Sequence, residues 1–222
     1  MSSDSFTSTA NCPLCLSKSN WFCEYFENPI NFYKCSNCYS IFKESQSYLD
    51  SKSEKERYNL HENDVHDQDY QNFVSPITNT IISNFDIDCR GLDFGCGPGP
   101  VIAHVLKKSG YRIELFDPFY FPNPSIKKQK FDFIICCEVM EHFHLPSKEF
   151  KFLKSLINSN GRLYCKTQLI SNTICVDDFK NWYYKNDPTH VFFYSPIALE
   201  YIKAKEGFQF LDFDEKLITF KA

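Results

Sequence analysis

From about residue 90 onward the chain alternates short apolar runs with amphipathic stretches. The runs predict strands at 91–94, 112–116, 131–136 and 162–168, and the stretches between and after them predict helices at 100–109, 147–157 and 196–204. Gly110 and Gly207 stop two of these helices, while Ser195-Pro196 supplies the third with an N-cap and an N1 proline. Phe73, Ile77, Ile81 and Ile82 recur at helical spacing and predict a helix over 69–85. Two final strands, 208–213 and 217–221, are joined by only "DEK", too short for a crossover, so they must run antiparallel. Strands alternating with helices define an α/β fold with a doubly wound, mostly parallel sheet. There are no internal repeats.

The first part of the chain obeys different rules. Cys12-Pro13-Leu14-Cys15 and Cys35-Ser36-Asn37-Cys38 are two CxxC pairs separated by 19 residues, the ligand spacing of a four-thiolate zinc site. Between them "WFCEYF" and "INFYKC" can pair as a hairpin that closes the tetrahedron, with Cys23 in its core. The stretch that follows is polar, with one helix expected at 54–60. The expected organisation is a zinc-ribbon module at 1–42, a linker or lid at 43–68 and a main domain at 69–222. Within the linker, "YNLHENDVHD" is dense in His and acids, which suits either a lid over a ligand or a solvated helix end.

Composition narrows the function classes. With 222 residues, 43% hydrophobic and 17% aromatic, the chain can bury a full core and is not disordered. "MSSDSFTSTA" lacks the charged and apolar regions of a signal peptide, and no window is apolar enough to span a membrane. A cytoplasmic location is therefore expected, where eleven Cys bind metal or fill cores rather than form disulfides. The net charge of −4 gives no global field for nucleic acid, and the lysine groups at 107–108, 127–130 and 148–154 are read as solvated helix faces.

The chemistry-bearing stretch of the main domain begins with "GLDFGCGPGP". It sets Asp93, Gly95, Cys96, Gly97 and Gly99 at the end of the first strand, where ligands bind in open α/β sheets. Pro100 replaces the third Gly of a dinucleotide fingerprint, which points away from NAD. The second strand ends at Asp117, 22 residues beyond Gly95, where a carboxylate can accept ribose hydroxyls.

On "LDFGCGPG", "LFDPF", "FDFIICCEVMEHF", "NSNGRLYCKT" and the closing "GFQFLDFDEKLITFKA", the region from 69 to 222 resembles the class I S-adenosylmethionine-dependent methyltransferases. The resemblance implies a Rossmann-like sheet of the seven-stranded type. It also implies that Asp93 and the Gly95 to Gly99 loop hold the methionine moiety, with Asp117 on the ribose, and Glu138 is counted with these cofactor-binding residues. One departure stands out: only "PFYFPNPSIKKQK" lies between Asp117 and Phe131, so the family's third strand and adenine-binding loop are shortened.

"CEVMEH" follows the fourth strand directly. If it opens a helical turn, Glu138, Glu141 and His142 share one face beside the cofactor loop, and with His190 from "WYYKNDPTHVFFYS" they suit Mg²⁺ or Mn²⁺. The ExxEH pattern with a later His is similar to the metal site of small-RNA 3′-terminal 2′-O-methyltransferases, and its ExxEH part to ubiquinone-biosynthesis O-methyltransferases. The other reading is metal-free: a Glu caps the helix, and His142 or His190 is the general base. The expected activity is O-methylation of a small molecule. Methylation of RNA or protein, with the ribbon as recognition element, and a non-catalytic scaffold are the alternatives.

Overall fold

A computed structural model of the chain describes residues 9–25, 29–60 and 63–222. The main sheet has six strands, β5 (Arg90–Phe94), β6 (Arg112–Phe116), β7 (Phe131–Cys137), β8 (Ile157–Lys166), β10 (Phe210–Phe213) and β11 (Ile218–Lys221). Their order is β10-β11-β8-β7-β5-β6. The four strands from β8 to β6 are parallel, and β11 and β10 close the sheet as an antiparallel hairpin. Helices α2 (Gln68–Asn84), α3 (Val101–Lys108), α4 (Pro146–Leu156) and α6 (Pro196–Glu206) pack on it, while the short α5 (Val176–Asn181) packs through Phe179 against Phe32 and Phe193. Phe133, Ile135 and Tyr164 are buried against α2 and α3 on one face, and Ile134, Cys136 and Leu163 against α4 and α6 on the other. This two-sided burial explains why β7 reads as an unbroken apolar run.

Six strands replace the seven expected. The segment after Asp117 forms only an isolated bridge from Asp117 to Phe121 and a 3₁₀ turn at Pro124–Lys128, so there is too little chain for a helix and another parallel strand. Strand β8 starts five residues earlier than the apolar pattern suggests. Its register against β7 shifts between Phe131 and Phe133, and Asn160 takes a left-handed φ of 67°, so "NSNG" enters the sheet as an irregularity rather than a loop.

The second sheet runs β1-β2-β3-β4-β9, from β1 (Thr9–Asn11), β2 (Lys18–Tyr25), β3 (Ile30–Cys35), β4 (Ile41–Lys43) and β9 (Phe192–Phe193). β2 and β3 form the expected hairpin, with Cys23 buried. The last strand comes from the far end of the chain, Ile41 pairing with Phe193 and Phe42 with Phe192. Thus the cysteine-bearing sheet and the main domain share a strand two residues beyond His190. Ser195 ties them again by donating its hydroxyl to the Cys38 carbonyl at 2.6 Å while capping α6 through Ala198 N.

Between the sheets, α1 (Ser51–Tyr58) starts earlier than expected because Asp50 caps it, accepting from Ser53 N. Asp67 caps α2 in the same way, accepting from Asp69 N and Tyr70 N. These caps account for two of the acids in the polar stretch. Its His61 and Glu62 lie outside the described residues.

Candidate active site

The parallel strands bring their C-terminal ends to one cavity of about 730 Å³. β5 delivers Asp93 and the glycine loop, β6 delivers Asp117, and β7 delivers Glu138, Glu141 and His142. Tyr184, Asp187 and His190 enter from the segment before β9, and Glu54, Tyr58 and Asn63 from the region of α1.

The glycine loop is held by the acid expected to bind ribose. Gly97 N donates to Asp117 Oδ2 at 3.1 Å, and Phe119 N and Tyr120 N donate to its Oδ1 at 2.8 and 3.1 Å. Gly95 has a φ of 73° and a Cβ there would lie 2.6 Å from Val139, so only glycine fits. At Gly99 a Cβ would fall 1.8 Å from the Asn63 carbonyl, which shows how closely that segment covers the loop. Asp93 is 4% exposed, and burial pushes its carboxyl up to about 7. Cys96 lines the cavity as well, and burial raises its thiol.

"CEVMEH" does not form the expected α-helical face. Glu138 adopts a left-handed φ of 51°, and the following turn, Met140–His142, is 3₁₀ with no side-chain cap. Glu138 therefore does not sit one helical turn behind Glu141 and His142; its carboxylate meets that of Glu141 only through the shared Tyr184 hydroxyl. A non-glycine residue is held in this conformation only by its surroundings, and such strain concentrates at functional sites. Here Glu138 N donates to Lys166 O at 2.8 Å, and its Oε2 faces the Tyr184 hydroxyl at 2.9 Å.

Glu141, His142 and His190 do converge. Their ligand atoms lie within 4.8 Å of one another. His142 Nδ1 is 3.0 Å from Thr189 O and His190 Nδ1 is 2.6 Å from Tyr184 O. A carbonyl only accepts, so each Nδ1 carries the proton and each Nε2 presents a lone pair. Those two Nε2 atoms lie 3.8 and 3.9 Å from the same oxygen, Glu141 Oε1. Glu141 is fully buried, and its Oε2 has no hydrogen-bond partner among the described residues. Burial pushes its carboxyl up to about 7, as it does that of Glu138, where the Glu141 charge adds to the effect. His190 is pushed down to about 4, by burial and then by His142, so it is neutral near pH 7. Two imidazoles that each commit Nδ1 to a carbonyl, and a buried carboxylate between their Nε2 atoms, form a donor set that fits a divalent cation.

Tyr58 belongs to the "YNLHENDVHD" stretch that suited a lid, and it lines the cavity, whereas Tyr184 and Asp187 had no distinguishing signal of their own in the sequence. Tyr184 and His190 are both buried. The Tyr184 hydroxyl meets Glu138, Glu141 (2.7 Å) and Thr167 (3.0 Å), linking both carboxylates of "CEVMEH".

In the second sheet's region Cys12, Cys15, Cys35 and Cys38 bring their sulfurs within 4.8 Å of one another. Hydrogen bonds from the Cys12 and Cys38 thiols pull Cys35 far below the ordinary thiol range, so the cluster favours an anionic sulfur.

Residues 54–212 match the family described as methyltransferase domain, which is most of the chain, and the protein belongs to that family. It is an S-adenosylmethionine-dependent methyltransferase. Among solved structures it is similar to the 1,6-didemethyltoxoflavin N1-methyltransferase of Burkholderia thailandensis, bound to 1,6-didemethyltoxoflavin and S-adenosylhomocysteine. That match has 11% identity over 89% of this chain and 97% of that one, with a TM-score of 0.54. A methyltransferase from Archaeoglobus fulgidus matches at 18% identity over 64% and 71%, TM-score 0.48. One from Thermotoga maritima, titled as a possible histamine N-methyltransferase, matches at 16% over 77% and 94%, TM-score 0.44. At these identities the likeness concerns the fold alone. No curated protein sequence matches the chain. Among the described residues no helix is long and apolar enough to cross a membrane.

Proposed function

We propose that the protein transfers the methyl group of S-adenosylmethionine to a hydroxyl of a small molecule, at a divalent-cation site made by Glu141, His142 and His190. The observation that carries this reading is the pair of Nε2 lone pairs turned toward one buried carboxylate, in the same cavity as the glycine loop. A bound Mg²⁺ or Mn²⁺ would lower the pKa of an acceptor hydroxyl and orient it toward the donor methyl.

The chain's own groups set up the rest. Asp93, Gly95, Cys96, Gly97, Gly99 and Asp117 form the donor's cradle, with the carboxylates near its cationic end. Thr189 O and Tyr184 O fix the tautomers of the two imidazoles. Tyr184 holds a proton between Glu138 and Glu141, so one carboxylate stays available to accept the hydroxyl proton as the other keeps its hydrogen bond. Without a cation, the half-buried His142 Nε2 is the base that faces the cavity.

A small acceptor is favoured over RNA because no Lys or Arg lines the cavity among the described residues. The four cysteines are read as a structural zinc site that braces the segment carrying His190. The test is labelled-methyl transfer from S-adenosylmethionine into fractionated cell extract, with and without added Mn²⁺. Cation-dependent label in the low-molecular-mass fraction is expected. Label confined to RNA or protein, or transfer indifferent to the cation, would overturn the reading.

A further inference from the structure

The cavity holds more negative charge than the donor and a cation need. Asp93 and Asp117 lie at the donor's cradle, Glu138 and Glu141 at the cation site, and Asp187 is neutralised by Arg57 at 2.6 Å. That leaves Glu54 and Glu149, both half-buried, both lining the cavity, and neither within 4.0 Å of a Lys or Arg among the described residues. Glu54 takes the Tyr58 hydroxyl on Oε1 at 2.8 Å, which leaves Oε2 open.

The walls beside Glu54 are aromatic. Tyr58 lies 5.8 Å from Phe119, and Phe119 lies 6.4 Å from Tyr120. Tyr120 already holds a cation on one side, the Lys55 ammonium at 5.5 Å from its ring, while Lys55 also donates to Phe119 O. Aromatic rings next to a carboxylate with no Lys or Arg partner among the described residues favour an ammonium group. The opposite edge of Tyr58 meets His142 at 5.3 Å, so Glu54 stands one aromatic ring away from the cluster where Glu141 Oε2 is buried and unpartnered among the described residues.

Resting on the hydroxyl-acceptor reading above, we propose that the acceptor is a small hydroxylated amine. Its hydroxyl faces Glu141, His142 and His190, and its ammonium sits against Glu54 and the rings of Tyr58 and Phe119. An anionic acceptor is disfavoured by the same charges, since among the described residues no Lys or Arg lines the cavity.

Three probes that share one phenol ring separate the charge requirement from the hydroxyl requirement: tyramine, 4-ethylphenol and 4-hydroxyphenylacetate. They are titrated calorimetrically into the full chain saturated with S-adenosylhomocysteine, near pH 7. Tyramine is expected to bind about tenfold more tightly than 4-ethylphenol, and 4-hydroxyphenylacetate more weakly than either. Glu54→Gln should remove the advantage of tyramine and leave 4-ethylphenol unchanged. Equal affinities across the series, tighter binding of the carboxylate, no binding of any probe, or an advantage that survives Glu54→Gln would overturn the proposal. The three wild-type titrations decide without the variant. Failure of the hydroxyl reading shows elsewhere, as absence of Mn²⁺ binding and of cation-dependent transfer, whatever the charge preference.

Discussion

His142 and His190 meet edge to face with ring centroids 4.8 Å apart, and each turns its Nε2 toward Oε1 of Glu141. Two imidazoles with fixed tautomers and one carboxylate act as a unit, so losing any member should cost most of the cation affinity. Glu141→Gln keeps the shape and an acceptor for Tyr184 but loses the charge. It should weaken Mn²⁺ binding at least about 100-fold in calorimetry, beyond the usual loss from a supporting residue. Binding of S-adenosylhomocysteine should stay close to wild type. Unchanged Mn²⁺ affinity in both Glu141→Gln and His190→Ala would rule out the site.

Asp93 sets a pH dependence whose sign follows from its burial. Its carboxyl is raised from 3.8 to about 7, so between those values the folded protein keeps a proton that the unfolded chain has lost. Stability contributed through this group is therefore greatest at low pH and declines as pH rises through about 4 to 7. At 1.36 kcal/mol per unit the decline is up to about 4 kcal/mol. Urea unfolding at pH 5 and 7.5 should show a smaller difference in Asp93→Asn than in wild type. The same proton competes with a cationic donor, so S-adenosylmethionine should bind more tightly as pH rises through about 7 in wild type and not in the variant. Parallel profiles for the two proteins would contradict this.

Gly99 lies under Asn63, and an added methyl would overlap the Asn63 carbonyl. Gly99→Ala must therefore lift the segment before α2 off the glycine loop or distort the loop itself. Either movement opens the donor's cradle, and S-adenosylhomocysteine affinity should fall about tenfold or more. The fold should be retained, because the cavity rim and not the core moves. Calorimetry and circular dichroism on the variant check both parts, and wild-type affinity would show that Asn63 yields without consequence.

Much of this architecture was legible because it rests on patterns that local chemistry enforces. A strand buried on both faces must be apolar throughout, which marked β7, and Ser195-Pro196 and Gly207 bounded α6 as caps should. The glycine loop and Asp117 were readable because a tight turn at a strand end tolerates few residue types. Three features were not readable. Strands of two or three residues, such as β4 and β9, have no periodicity, so the pairing that joins the two sheets left no trace. The ExxEH spacing suggested a shared helical face, but a left-handed residue at Glu138 breaks that geometry and nothing in "CEVMEH" signals it. Tyr184 looks like any of its aromatic neighbours in sequence, and only the fold brings its hydroxyl between two carboxylates.

Arg57 and Asp187 latch α1 to the segment before His190. Burial pushes the Asp187 carboxyl up, but the Thr189 N–H and O–H bonds, with His190 and Arg57, outweigh it and hold it at about 2. Its stabilising contribution is full above about pH 4 and is lost as pH falls through about 2. Thr189 also accepts from His142, so the latch reaches the cluster. Arg57→Ala should cost about 1 kcal/mol in urea unfolding at neutral pH, as expected for a partly exposed pair. Asp187→Asn should cost more, because the Thr189 bonds weaken as well. Equal costs would confine the role of Asp187 to the ion pair.

The cysteine cluster should control the active site through the shared strand. Lys43 N donates to Val191 O and Val191 N donates to Glu141 O, so a short backbone relay joins β4 to the candidate cation site. Cys38 anchors the same region through its carbonyl, which takes the Ser195 hydroxyl. If zinc holds the four sulfurs together, its loss leaves thiols crowded within 4.8 Å and frees β4 from β9. The zinc content of purified protein should be one equivalent. Removal by chelator, or Cys35→Ser, should lower stability by several kcal/mol, on the order of a structural metal's contribution in a small module. Hydrogen exchange at the Val191 amide should accelerate, and Mn²⁺ binding should fall with it. If the loops after β5 and β6 hold the donor as proposed, donor binding should decline less. Protection at Val191 that survives complete zinc removal would show that the main sheet holds β9 without help from the cysteines.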